Sequence, residues 1–127
     1  MICDSNIVIY AAEPGDTLCL PYVQKADAMI ASVTRIEVLG FPKFGELSPQ
    51  RQVLLHDLLA STTELALDEE IIQQTILLRQ QKKMKLGDAI IAATALEYGV
   101  PLVTRNEGDF KDISGLEIIN PFASGGR

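Results

Sequence analysis

Four places in the chain put an acidic or amide side chain where an apolar run gives way to polar residues. Asp4 follows Met1-Ile2-Cys3, and Glu37 follows the run Ala28 to Val33. Asp88 lies in the first turn of a helix expected over Leu86–Tyr98, and Asn106 and Asp109 follow Val100 to Thr104. If the apolar runs are parallel strands, their carboxyl ends open on one edge, where ligands bind at the point of strand-order reversal. With the first and fourth strands as central neighbours, all these groups share one crevice. Crowded carboxylates cannot all stay ionised alone, because like-charge repulsion raises some of their pKa values. A hard divalent cation relieves the repulsion. Oxygen ligands suit Mg2+ or Mn2+, and the absence of histidine and cysteine from these positions disfavours zinc. Such an ion polarises a phosphodiester oxygen and makes its water a better nucleophile. No nucleophile-elbow serine and no phosphate-binding glycine loop points to another reaction.

The elements that must position these groups follow from apolar runs and punctuation. Strand 1 is expected over residues 1–4, and helix 1 over about 6–12 with Ser5 or Asn6 as its cap. Glu13-Pro14-Gly15-Asp16 reads as a turn, with a short helix within 17–26. Strand 2 runs from Ala28 to Val33. Thr34 would cap the next helix, which carries Glu37 at capping-box spacing and ends near Gly40. Phe41 to Gly45 is a loop. Ser48-Pro49 opens an amphipathic helix through Ala60, with Val53, Leu54, Leu58 and Leu59 facing inward. Strand 3 spans Thr63 to Leu67. Asp68 caps the following helix, whose apolar side is Ile71, Ile72, Ile76, Leu77 and Leu78 and whose end is basic. Gly99 stops the helix Leu86–Tyr98, and Val100 to Thr104 is strand 4. Glu107 to Ile113 is a loop or single turn, and Leu116 to Ile119 is strand 5. Strands alternating with helices give a parallel sheet covered on both faces. We expect a single domain over residues 1–122 and a disordered tail over 123–127.

The bulk numbers fit a globular α/β chain. Of the 127 residues, 47% are hydrophobic and 22% charged, and the net charge is −6. That charge argues against a broad basic surface for nucleic acid, but not against a site that gathers carboxylates around cations. The two cysteines, Cys3 and Cys19, lie in apolar runs and read as buried thiols in a reducing compartment. No apolar run is long enough to span a membrane and no signal peptide is evident, so a cytoplasmic location is expected.

The same residues carry a family resemblance. Ile2-Cys3-Asp4-Ser5-Asn6-Ile7 resembles the opening motif of PIN-domain ribonucleases. Ser32-Val33-Thr34-Arg35-Ile36-Glu37 resembles their second acidic motif, Leu86-Gly87-Asp88-Ala89-Ile90-Ile91-Ala92-Ala93 the third, and Leu102-Val103-Thr104-Arg105-Asn106-Glu107-Gly108-Asp109 the fourth. Spacing and length are similar to those of small bacterial VapC-type toxins, over nearly the whole chain. The resemblance implies a three-layer α/β/α fold with a five-stranded parallel sheet. It also implies Mg2+- or Mn2+-dependent endonucleolytic cleavage of RNA, a cognate antitoxin that blocks the site, and a homodimer. Asp4, Glu37 and Asp88 carry over to the three principal acidic positions. The fourth acid stands at Asn106 in some members and at Asp109 in others, so one metal ion or two remain open. In this reading Asp4 and Asp88 bind the metal, and Glu37 and Asp109 bind it or orient its water. Asn6, Thr104 and Asn106 support them through hydrogen bonds.

Plainer roles compete at several positions. Glu37 could serve only the capping box, Asp88 only the helix dipole, and Asn6 or Asp109 only a local cap. Arg35, Lys82, Lys83, Lys85 and Arg105 lie near the motifs and read either as RNA-phosphate contacts or as ordinary solubilising charge. Phe41 and Phe44 suit either an antitoxin groove or loop core. His56 lies away from every motif. Two other functions share the motifs: a housekeeping PIN nuclease without antitoxin, and a weakly active PIN-like module that binds RNA or a partner. A phosphoacceptor receiver domain is disfavoured, because Asp68 is a poor match for its central aspartate.

Overall fold

The computed structural model of the chain describes residues 1–123. Its centre is a five-stranded parallel sheet. β1 (Ile2–Cys3), β2 (Met29–Ala31), β3 (Thr63–Leu65), β4 (Leu102–Val103) and β5 (Ile118–Ile119) lie in the order β3-β2-β1-β4-β5. Every adjacent pair is parallel. β1 and β4 are therefore central neighbours, the condition on which the shared crevice depended. The chain leaves β1 toward one edge through β2 and β3, then returns to the other side through β4 and β5. The reversal falls between β1 and β4, and opens a crevice beyond their carboxyl ends.

The strands are shorter than their apolar runs, at two or three residues each. Buried parallel strands need no polar alternation, so the sequence does not mark where extension ends. Alternation across the sheet still divides the core. Ile2 and Leu102 face one apolar cluster with Ile71, Leu78 and Ile91, while Cys3 and Val103 face the other with Ile7, Val8, Leu55 and Leu59. The first layer is made by α5 (Glu69–Gln81) and α6 (Leu86–Tyr98). The second is made by α1 (Ser5–Ala11), α2 (Leu20–Val23) and α4 (Pro49–Ser61), with α3 (Ser32–Leu39) bridging toward α6. A last short helix, α7 (Glu107–Phe110), follows β4 where a loop or single turn was expected. A 3-10 turn at Phe44–Glu46 lies in the aromatic loop, where Phe44 packs edge-on to Phe41 and His56. Among the described residues no helix is long and apolar enough to cross a membrane. Ala123 lies at the end of a turn, and the rest of the expected tail, 124–127, is outside the described residues.

Several caps are where the sequence marks them. Ser48 accepts the Arg51 N–H with Pro49 at the first helical position, and Asp68 accepts the Ile71 N–H. Gly99 adopts φ +63°, and the N–H groups of Gly99 and Val100 close the end of α6 onto Leu96 and Ala95. The expected cap at Thr34 is wrong. α3 starts at Ser32 after an extended Ala31, so Thr34 lies inside the helix, fully buried, with its hydroxyl unpartnered. There is thus no capping box for Glu37 to complete.

Two apolar faces also differ from expectation. On α4 the buried stripe is Leu55, Leu58 and Leu59, while Val53 and Leu54 are exposed. On α5 it is Ile71, Thr75 and Leu78, leaving Ile72, Ile76 and Leu77 exposed. Each buried set keeps one helical face, and the exposed residues fall on a neighbouring one. Both cysteines are buried and unpaired, and burial pushes each thiol up to about 12.

Candidate active site

The crevice beyond β1 and β4 is built from four segments. Asp4 follows β1 directly. Its extended backbone turns the chain into α1, and its carboxylate accepts the Ile7 N–H at 3.0 Å. It therefore caps α1, the role the sequence suggested for Ser5 or Asn6. That frees Ser5 to donate from its hydroxyl to Glu37 Oε1, across to α3. Lys85 and Asp88 lie three residues apart at the start of α6 and so share one helix face. Thr104 follows β4, fully buried, and its hydroxyl accepts the Asn106 N–H. This turns the chain so that Asn106 and the first turn of α7 reach the crevice.

The result is a cavity of about 260 Å³ whose walls include Asp4, Glu37, Asp88, Asp109, Asn6 and Asn106. Lys85 and Phe41 also border it. Four carboxylates drawn from four separated segments thus meet in one cleft. Asp4 is buried, Asp88 is half-buried, and Glu37 and Asp109 are exposed. Burial raises the Asp4 pKa first of all. The Thr104 hydroxyl and the Ile7 N–H oppose this, and the charges of Asp88 and Glu37 add to it. Asp88 is raised by burial, then by the charges of Asp109 and Glu37, with Lys85 pulling the other way. Two acids raised chiefly by burial, with neighbouring carboxylates adding to it, mark a candidate site.

The donors fit a hard cation in type, being all oxygen. Among the described residues no three acidic, histidine or cysteine side chains are already gathered at ion-binding distance. That does not conflict with magnesium, which keeps several waters and takes only one or two carboxylates. Glu37 is meanwhile held by Ser5.

Arg35 and Arg105 lie outside this cleft. Arg35 forms a two-pronged pair with Glu64 of β3, Nε to Oε1 at 2.7 Å and Nη2 to Oε2 at 3.1 Å. Being two residues from Glu37 on a helix, it cannot face the same way. Arg105 stacks over Phe122, its guanidinium carbon 4.3 Å from the ring centroid, with Tyr10 at 5.5 Å on another side. It fastens the chain after β5 to α1.

Ser5 and Gly87 are site residues that sequence reasoning passed over. Gly87, in the first turn of α6, lies directly against the Glu37 carboxylate, and a methyl there would collide with Oε2. A glycine inside a helix start, where alanine would serve the helix better, is the signal that pointed to it.

The sequence profile of the PIN domain matches residues 1–116. The chain belongs to the PIN domain family. PIN domains are nucleases, so the reaction is hydrolysis of nucleic-acid phosphodiesters. The fold agrees with solved toxin–antitoxin and VapBC structures over nearly its whole length. A toxin-antitoxin complex from Klebsiella pneumoniae contains a chain 28% identical, with a TM-score of 0.77, covering 95% of this chain and 97% of that one. VapBC2 from Rickettsia felis, bound to a promoter DNA fragment, is 20% identical with a TM-score of 0.79, covering 94% and 96%. DNA-bound VapBC from Salmonella typhimurium is 21% identical with a TM-score of 0.78, with the same coverage. No curated protein sequence matches significantly.

Proposed function

We propose that this PIN domain is a Mg2+- or Mn2+-dependent endoribonuclease, the toxin of a toxin–antitoxin pair. What carries the reading is the convergence of Asp4, Glu37, Asp88 and Asp109 on one cleft at the sheet's reversal point. The toxin role is supported by likeness to the Klebsiella pneumoniae toxin-antitoxin complex. By analogy, a cognate antitoxin would occupy or cover the cleft. The exposed strip of Ile72, Ile76 and Leu77 on α5 is a surface a second copy could cover in a homodimer.

Asp4 and Asp88 would hold the cation, since burial makes the charge of each costly and a cation would offset it. A bound divalent ion supplies Lewis acidity toward the phosphate and a more acidic water. Glu37, steadied by Ser5, and Asp109 would orient the attacking water or complete the ligand set. Asn106 offers a neutral amide where some relatives have an acid, so the fourth negative charge comes from Asp109. Thr104 steadies both Asp4 and the turn that carries Asn106. Attack by water on phosphorus expels the 3′ oxygen and leaves a 5′-phosphate and a 3′-hydroxyl. No RNA 2′-hydroxyl is consumed.

The test is cleavage of a defined RNA by the purified chain. We expect cutting with Mg2+ or Mn2+, loss in EDTA, recovery on adding Mn2+, and ends that ligate directly as 5′-phosphates. Equal cleavage in EDTA, or 2′,3′-cyclic phosphate ends, would overturn the reading.

A further inference from the structure

Beside the acidic cleft lies a second, larger cavity of about 500 Å³. The Lys82–Lys85 segment, which joins α5 to α6, forms one wall and Gly108 of α7 part of the other. Lys85, Asp88 and Asp109 border both cavities, so the two are neighbours across these side chains. The volume falls within the range of small-molecule pockets, roughly 300–1,000 Å³. Beyond the two carboxylates it shares with the cleft, its charged lining is lysine. Three lysines within four residues stand on a chain whose net charge is −6. Lys83 and Lys85 are exposed, and Lys82 reaches only a loose pairing with Asp112 at 3.9 Å. Met84, half-buried between them, adds a polarisable apolar surface. The arginines near the motifs are engaged elsewhere, Arg35 by Glu64 and Arg105 by Phe122. The lysine segment is therefore where a backbone phosphate leaving the cleft would find cations.

We propose that this cavity is the subsite for the nucleotide next to the scissile phosphate in single-stranded RNA. The lysines take its phosphate, and the wall around Met84 and Gly108 takes its base. The proposal rests on the nuclease reading, and deepens it by placing a nucleotide adjacent to the scissile phosphate.

Gly108 makes the test clean. A Cβ there meets nothing within 4 Å, and Gly108 borders the cavity, so a side chain at this position starts in open space beside it. We would measure binding of a fluorescent RNA dodecamer in EDTA by anisotropy for wild type, Gly108→Leu and Lys83→Ala. Hydrolysis of bis(p-nitrophenyl) phosphate with Mn2+, a substrate confined to the acidic cleft, is measured alongside. Gly108→Leu should weaken RNA binding about tenfold, the scale of one lost base contact. Lys83→Ala should lower the salt dependence of binding by about one phosphate contact. Neither should change hydrolysis of the small ester. RNA affinity unchanged in both variants, or no RNA binding by wild type, overturns the subsite. RNA binding that depends on Gly108 without any cleavage would uphold the subsite and sink the nuclease reading instead.

Discussion

Asp88→Asn is expected to lower metal-dependent RNA cleavage by more than about a hundredfold, while the metal-free chain melts no lower than wild type at neutral pH. The two halves of that expectation have one cause. Asp88 is half-buried in the first turn of α6 and makes no cap hydrogen bond there, so its carboxylate serves the helix start only through the dipole. Burial and the charges of Asp109 and Glu37 raise its pKa. A raised value means that the folded chain holds this proton more tightly than the unfolded chain does. The resulting stability is complete below the ordinary value of 3.8 and is lost as pH rises through the raised folded value. Asparagine carries no such penalty. The helix-dipole term it gives up is about 0.3–1 kcal/mol. The melting difference, variant minus wild type, should therefore grow from pH 3.5 to pH 7 in EDTA. Asp4→Asn should be equally inactive and still folded, because asparagine can accept the Ile7 N–H. Asp4→Ala should in addition lose about 0.5–2 kcal/mol of helix capping. Full cleavage by Asp88→Asn protein would end the assignment.

Gly87→Ala is expected to cost roughly ten- to a hundredfold in Mn2+ affinity and cleavage, with stability within about 1 kcal/mol of wild type. Alanine suits a helix better than glycine by about 0.5–1 kcal/mol, and no left-handed backbone demands glycine at this position. The collision is with Glu37, an exposed and flexible side chain, so the fold yields by moving it. What is lost is the Ser5–Glu37 hydrogen bond and the placement of that carboxylate over the cleft. In a Glu37→Ala background the same substitution should have no further effect on metal affinity. A Gly87→Ala protein with wild-type affinity, or equal losses in both backgrounds, would show that the close approach is incidental.

Much of the arrangement was legible because it depends on local signals. The cap at Asp68, the Ser48-Pro49 start and the Gly99 stop each need only a few neighbouring residues. The meeting of Asp4, Glu37, Asp88 and Asp109 followed once the runs were taken as parallel strands with the first and fourth adjacent. Direction around a helix was less legible. Arg35 stands beside Glu37 in sequence but on another face of α3, and α5 carries two adjacent apolar stripes of which only one meets the core. Long-range partners were not legible at all. Nothing near Arg105 announces Phe122, and nothing near Gly87 announces Glu37. The start of α3 was misplaced because a three-residue strand gives the apolar pattern too little length to mark its own end.

The central ladder has a dynamic consequence. The amides of Ile2 and Asp4 donate to Pro101 and Val103, and those of Leu102 and Thr104 donate to Glu117 and Ile119. These bonds lie between two apolar layers, so they break only when both layers part. Such amides exchange with solvent last, by opening of nearly the whole domain. Two of them belong to Asp4 and Thr104, so the floor of the cleft is part of the slowest-exchanging backbone. The Lys82–Lys85 wall joins two helices and contributes no bond to that ladder, so the two sides of the cleft differ in what holds them.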